Sequence, residues 1–530
     1  MTEVDIAAVQ DWLGRLPGGS LAERYADDWD AFAEPDRPVV TLFGSYDTGK
    51  SSLLRRLLVD AGQEIPGWLT ISARHETFEV NDAEIGGCLV RDTPGFTAVA
   101  TDLRARNNTR RALAAIRLTD IAVVVMTSQL ATAERDLLEE VLAQGWPAAT
   151  MWFVISRFDE AGVNPEYDLA EYRELSEHKV NELRTIFALD EQTRVFVVAP
   201  DPFQTGGPDT DLVPETWDEF RSWDGMSALA DALDTASPSA LTQWRAAAGH
   251  RYWTWALDET LSELREQLSE YATQARVAAR GVEKRDAWES ELDALDRAAQ
   301  AGLDGLVDDV LRRSFAPGTG TAAVEAEIER ALAEWFAKHD LRLQRLLQSI
   351  RKSKERERAQ PTWAGFASLV ATLELEPASV RGSGAAGHVE TIGGMAVGVL
   401  KAFTSAAEKD TKAAKKVAAT LSARAAQKLG RHVGTVEAAL PLAVYLTGLA
   451  GDWWTDRGQR NQDREAAEKQ QQVVADFTRR AQETWQPYVD EVRSEIVAQT
   501  ADQVALDQSL RQLVEQLHEA VAEGERIIRR

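Results

Sequence analysis

Two patterns of apolar positions divide the chain. Between Val39 and about residue 198, short apolar runs recur: VVTLF at 39–43, CLV at 88–90, IAVVVM at 121–126, MWFVI at 151–155 and VFVV at 195–198. Runs this short, apolar at consecutive positions, suit strands covered on both faces. The stretches between them have helical spacing, and strands alternating with helices specify an α/β fold with a mainly parallel sheet flanked by helices. A local hairpin is expected from 77–81 and 86–91, across a turn containing Asn81 and Asp82. On either side of this region the period changes to three or four. Val4, Ala8, Trp12 and Leu16 make residues 2–34 helical, and Pro35 and Pro38 end that pattern. Leu257, Leu261, Leu264, Leu268 and Tyr271 mark one face of a long helix, and Leu506, Leu510, Leu513, Leu517 and Val521 repeat the rhythm. Further helices are expected over about 285–313, 322–358 and 455–500, with breaks at 316–318 and 377–388.

These shifts divide the chain of 530 residues. Residues 1–36 form an N-terminal helix packing with the helical region, and 37–210 form the α/β domain, left through the Gly- and Pro-rich segment 202–214. Residues 211–376 begin a large all-α, stalk-like region, 377–454 are an apolar and basic helical tip, and 455–530 return as helices. Apolar residues at 44% and charged residues at 27% describe a folded chain rather than a disordered one.

The net charge of −26 argues against generic nucleic-acid binding, which needs clustered Lys and Arg, and no nucleic-acid partner is expected. The lone Cys88 excludes a disulfide within one chain. No signal-peptide layout and no uncharged apolar run of roughly 18 residues is present, so a cytoplasmic location is expected. The seven histidines have no metal-ligand spacing.

The chemistry is concentrated after the first apolar run. Gly44-Ser45-Tyr46-Asp47-Thr48-Gly49-Lys50-Ser51 is a complete G-x-x-x-x-G-K-S, followed by the helical Ser52-Leu53-Leu54-Arg55-Arg56-Leu57-Leu58. A strand before and a helix after are what this phosphate-binding loop requires. Its backbone N–H groups and the helix N-terminus face the anion. Lys50 reaches the β- and γ-phosphates and Ser51 coordinates Mg²⁺. Asp92-Thr93-Pro94-Gly95 then ends the run Cys88-Leu89-Val90. There Asp92 acts on the Mg²⁺ shell and the Gly95 N–H senses the γ-phosphate.

Over about residues 37–205 these motifs resemble the guanine-nucleotide-binding domains of the translation-factor and dynamin-like class, and the bacterial dynamin-like and Era-like P-loop GTPases in particular. The resemblance implies a Mg²⁺-dependent enzyme that binds and hydrolyses GTP. In that class one strand ends in N/T-K-x-D, whose Asp takes the guanine N1 and N2 hydrogens. Here Ile155 is followed by Ser156-Arg157-Phe158-Asp159. The Asp is in place, Ser and Arg replace the usual pair, and the Arg157 stem is able to stack on a purine. The departure keeps an adenine-nucleotide enzyme open. Val198-Ala199-Pro200 matches the family's base-contacting loop only loosely.

The switch threonine is either Thr77, favoured by its resemblance to bacterial dynamin-like proteins, or Thr70, whose spacing from Asp92 is the more usual. Phe96 stands where Ras-like enzymes place a water-orienting Gln, and a hydrophobic residue there resembles dynamin-like and Era-like GTPases. Asp47 occupies the position that is Asn or Asp in potassium-stimulated GTPases. A carboxylate there suits K⁺ beside the phosphates; the plainer reading is an Asp capping its own turn.

The layout of helix, GTPase domain and long helical region resembles bacterial dynamin-like proteins, and implies self-association through the GTPase domains coupled to movement of the helical stalk. Within 389–454, apolar segments around Ile392–Leu400 and 438–451 flank a stretch with Lys401, Lys415, Arg424 and Arg431 among its basic residues. That arrangement suits a peripheral contact with an anionic membrane at the inner face of the cell; a buried helical hairpin with a solvated basic connector fits the same residues. A slow GTPase switch or scaffold, gating a protein partner without a membrane, is the alternative function.

Overall fold

The computed structural model describes residues 4–16, 20–69, 80–95, 103–130, 135–209, 211–236, 238–314, 321–375 and 462–529. The chain separates into two compact units. One comprises Met1–Ser262 with Ala520–Arg530, the other Glu263–Glu519.

The first unit is built on six strands: β1 (Val39–Phe43), β2 (Asn81–Ile85), β3 (Cys88–Asp92), β4 (Ile121–Met126), β5 (Met151–Ile155) and β6 (Arg194–Val197). Their order across the sheet is β2-β3-β1-β4-β5-β6, parallel except for β2. Every residue of β1, β4 and β5 is buried, as their unbroken apolar runs require. The edge strand β2 instead alternates, exposing Asp82 and Glu84 and burying Ala83 and Ile85. The hairpin differs from the sequence expectation. Asn81 and Asp82 lie inside β2, and the turn is Gly86-Gly87, at φ 56° and 75°. A two-residue hairpin turn of this kind needs positive φ at both positions, which Gly-Gly supplies without strain.

Helices α1 (Ile6–Arg15), α2 (Ser20–Ala33), α3 (Lys50–Asp60), α4 (Leu103–Arg117), α5 (Arg135–Leu142), α6 (Leu169–Ile186) and α7 (Met226–Asp234) complete the chain up to residue 236. The single N-terminal helix expected over 2–34 is two, because α1 ends at Arg15 and Leu16 is extended. One face of the sheet packs on α3 and α7 through Leu53, Leu54, Leu57, Met226, Leu229 and Leu233. The other packs on α4, α5 and α6 through Ala112, Ile116, Leu138, Tyr172 and Leu183. The sheet's core therefore continues past segment 202–214, because α7 supplies four of its buried side chains. Cys88 is buried in this core, and burial pushes its thiol up to about 11.

Among the described residues four further helices follow: α8 (Pro238–Ser314), α9 (Thr321–Arg358), α10 (Pro361–Leu375) and α11 (Gln462–Ile528). The pieces expected around 257–271 and 285–313 are one helix of 77 residues, and α11 runs unbroken through Pro487. Tertiary packing carries both beyond the boundaries that local composition suggested. In the second unit, Leu292, Leu303 and Val307 of α8 pack with Leu343, Leu346 and Ile350 of α9 and Trp485, Val489 and Ile496 of α11. Lys354 of α9, buried in the same unit, donates to Glu357 Oε2 at 3.0 Å and to the Gln503 side chain of α11. Gln503 Nε2 donates to Val277 O of α8 at 2.8 Å and to Glu357 Oε1 at 3.0 Å.

Candidate nucleotide site

The site lies at the C-terminal ends of the central strands, where an open α/β sheet places its ligands. β1 leads into Gly44, and a Cβ there would run into the Val125 carbonyl of β4. The chain turns through Asp47, at φ 60°, and Gly49, at φ 89°, before α3 begins at Lys50. Thr48 Oγ1 donates to Ser45 O at 3.0 Å and closes the turn. Tyr46 is exposed, and Ser52 lies within the first turn of α3.

Lys50 is buried inside this loop. Its ammonium donates to Gly44 O at 3.0 Å and Ser45 O at 2.8 Å. Burial pushes it down to about 8, while the nearby carboxylates Asp92 and Asp47 pull it up. Neutral carbonyls do not balance a buried ammonium, so this charge is suited to an incoming anion. Ser51 Oγ donates to Asp92 Oδ2 at 2.9 Å. A hydroxyl and a fully buried carboxylate meet where α3 begins, and hard oxygen donors of this kind fit Mg²⁺. Thr93 Oγ1 donates to Leu42 O at 2.7 Å and fixes the chain after Asp92. Gly95 passes so close to the loop that a Cβ would lie 2.7 Å from Tyr46 Cα.

On the base side, Ser156 is fully buried, with its hydroxyl 2.8 Å from where a Cβ on Gly49 would stand. Arg157, at φ 55°, donates from Nη1 to the Asp47 carbonyl at 3.2 Å and pairs with Asp47 Oδ2 at 3.2 Å. Its Nη2 pairs with Glu160 at 2.8 Å, and its stem passes 3.5 Å from the Gly49 Cβ position. The Arg157 stem therefore rests on the phosphate loop and its head is committed to two carboxylates. The Asp47 carboxylate that the sequence suggested for K⁺ already faces a guanidinium. Asp159 Oδ2 accepts from Phe203 N at 2.9 Å, and burial pushes its carboxyl up. Val198, Ala199 and Pro200 are buried, and Ala199 N donates to Asp224 O at 2.9 Å.

Thr70, Thr77, Phe96 and the segment 389–454 lie outside the described residues. Among the described residues no three His, Cys, Asp or Glu side chains cluster as a metal site of their own. Sequence reasoning overlooked Arg55, Arg56 and Asp201. The two arginines stand in an apolar helical run and were legible only as polar interruptions of it, yet they are buried and tie α3 to the loop after β6.

A strand–loop–helix of this geometry, with a lysine turned into the loop and a serine beside a strand-end aspartate, defines a P-loop nucleotide-binding domain. Residues 39–157 match the family model described as 50S ribosome-binding GTPase, and over this stretch the chain carries a P-loop GTPase domain. Translation initiation factor IF-2 of Nitratidesulfovibrio vulgaris (strain DP4) is 32% identical over 145 residues, 26% of this chain and 12% of the factor. The chain thus spans about an eighth of the curated relatives it matches. Among solved structures, LeoA, a bacterial dynamin GTPase from ETEC, aligns over 98% of this chain and 97% of its own at 13% identity and a TM-score of 0.28. Era in complex with MgGDPNP and 16S ribosomal RNA nucleotides aligns over 31% of this chain and 51% of its own, at 16% identity and a TM-score of 0.25. Toc33 from Arabidopsis thaliana, in complex with GDP and Mg²⁺, aligns over 44% and 96% at 13% identity and a TM-score of 0.25. Scores this low give no basis for assigning those proteins' partners to this chain.

Proposed function

We propose that this protein binds GTP with Mg²⁺ and hydrolyses it, and that pairing of its GTPase domains in the triphosphate state drives movement of its long helices. The observation that carries the reading is the buried Lys50 ammonium, held on the carbonyls of Gly44 and Ser45, beside the Ser51–Asp92 pair. In this reading Lys50 takes the β- and γ-phosphates, and the loop N–H groups with the Gly95 N–H surround them. Ser51 and Asp92 would hold Mg²⁺, directly or through water, and the bound ion would supply positive charge beside the phosphate oxygens. Asp159 takes the donor edge of guanine. The switch threonine is Thr77 or Thr70.

The helical layout supports the dynamin-like form of this reading, and the basic, apolar segment 389–454 supports a contact with an anionic membrane surface. Among the described residues no helix is long and apolar enough to cross a bilayer; the contact proposed for 389–454 is a peripheral one. A cytoplasmic location belongs to the same proposal.

The test is hydrolysis of GTP and of ATP against protein concentration, with and without anionic liposomes, using Lys50→Ala as the control. GTP turnover per molecule that rises with concentration, responds to liposomes and vanishes in the variant supports the full reading. Slow turnover independent of both points to a switch that gates a protein partner. Preference for ATP overturns the guanine assignment.

A further inference from the structure

Asp201 follows the last strand and organises the loop that carries Phe203. Its carboxylate accepts from Arg55 Nη2 at 3.1 Å, Gly206 N at 2.7 Å, Gly207 N at 3.1 Å and Trp217 Nε1 at 3.0 Å. Arg55 is buried on α3, about one and a half turns beyond Lys50. Its Nη1 also donates to Gly207 O at 2.7 Å. A planar fork that meets both a carboxylate and a carbonyl fixes direction as well as distance.

Just past Asp201 the backbone does something costly. Phe203 and Gln204 are consecutive non-glycine residues in the left-handed region, at φ 51° and 58°. Such residues persist only where their surroundings hold them. Here that conformation turns the Phe203 N–H onto Asp159 Oδ2 at 2.9 Å. The helix that begins with the phosphate-facing lysine is thereby joined to the base-side carboxylate through Arg55, Asp201 and Phe203.

We infer that Arg55 and Asp201 are positioning residues for base selection: they hold the strained Phe203 peptide on Asp159 and so fix the direction in which that carboxylate meets the donor edge of the base. Neither is among the residues assigned above to nucleotide contact. The inference rests on the guanine-nucleotide reading of the site. The phosphate contacts of Lys50 and the loop do not depend on the pair, so its loss acts on the base rather than on overall affinity.

The experiment titrates fluorescent GDP and ADP analogues, with Mg²⁺, into the full chain, into Arg55→Gln and into Asp201→Asn. Thermal melts of all three run alongside. Asp201→Asn keeps the shape and one oxygen able to accept from Gly206 N, so it decides the matter even where Arg55→Gln fails to fold. The expected result is a loss of about tenfold in GDP affinity, with ADP affinity unchanged within about twofold, because only the hydrogen-bonded base edge is disturbed. A parallel loss of both nucleotides, or unchanged selectivity, overturns the inference. A wild-type chain with no preference for GDP over ADP overturns the guanine reading itself, an outcome distinct from either.

Discussion

Among the described residues two lysines are buried, and they are buried in opposite ways. Lys354, in the second unit, meets its counter-charge inside the fold: Glu357 Oε2 at 3.0 Å, with Gln503 bonded to both. Lys50, in the first unit, is bonded to two backbone carbonyls. Burial lowers the proton affinity of both, and at Lys354 the hydrogen bond and charge of Glu357 oppose it. A cation whose charge is balanced within the fold holds helices together. A cation held on neutral carbonyls beside a helix N-terminus is suited to a ligand that brings the charge. The contrast separates a structural buried charge from a functional one without reference to family.

The contrast breaks most directly at Lys50. Lys50→Ala is expected to weaken GTP binding by about a thousandfold, roughly 4 kcal/mol, because the phosphates lose their buried cation. Its thermal stability is expected to stay level or rise, since an imperfectly balanced buried charge has been removed. Calorimetric titration and a melt on the same sample check both halves. A variant that melts much lower would place Lys50 with Lys354 among structural charges.

Glu357→Gln is the mirror experiment. It leaves Lys354 buried without its counter-charge and should destabilise the helical unit by about 3 kcal/mol. Lys354→Met combined with Glu357→Gln should recover much of that loss, because no fully buried charge is left unpaired; Lys284, which also pairs with Glu357 at 3.0 Å, keeps access to water. Chemical denaturation of the full chain, followed through tryptophan fluorescence, reads the effect. Gly281→Ala tests the same node from α8, since a Cβ there would overlap the Gln503 side chain. Overpacking of this kind costs about 2 kcal/mol. Neither substitution touches the nucleotide site, so GTP affinity is expected to hold.

The Lys50 charge also sets a pH dependence. In the free protein it is lowered to about 8, and bound phosphate favours the protonated form and raises it again. Binding above pH 8 therefore takes up a proton. Nucleotide affinity is expected to fall by up to about tenfold per pH unit above 8, and to be flat from this cause below it. A titration series from pH 7 to about 9.5 measures the slope; an affinity that rises over that range contradicts the assignment.

What the sequence revealed follows the same division between local and non-local causes. The phosphate loop was legible because a strand, the six loop residues 44–49 and a helix are contiguous, so the chemistry needs no long-range information. The strands were legible because burial on both faces leaves continuous apolar runs such as Ile121–Met126. Arg55 and Arg56 were not, because a charge within a helical run reads as a solvent-facing position. Their partners Asp201 and Asp224 lie well over a hundred residues away. The lengths of α8 and α11 were missed for a related reason. Each was expected as two separate pieces, whereas the packed helices run on without a break.

The smallest effect is expected at Asp47, and it sharpens the contrast between built-in and supplied cations. Asp47 holds an unfavourable backbone, at φ 60°, and its carboxylate pairs with Arg157 Oδ2-to-Nη1 at 3.2 Å while remaining largely exposed. Asp47→Gly removes the backbone strain and the ion pair together. An exposed pair contributes well under about 1 kcal/mol, and relief of the left-handed strain is of similar size. Stability is therefore expected to change by less than about 1 kcal/mol. The monovalent-cation response is the more informative reading. If the guanidinium is the cation that Asp47 holds, GTP turnover is equal in K⁺ and Na⁺ for the wild-type chain, and Arg157→Ala creates a K⁺ preference by freeing the carboxylate. If Asp47 releases Arg157 and takes K⁺ when nucleotide is bound, the wild-type chain already turns over faster in K⁺, and Asp47→Gly abolishes the difference. The two outcomes assign the cation that faces Asp47 either to the fold, as the Arg157 guanidinium, or to solution, as K⁺.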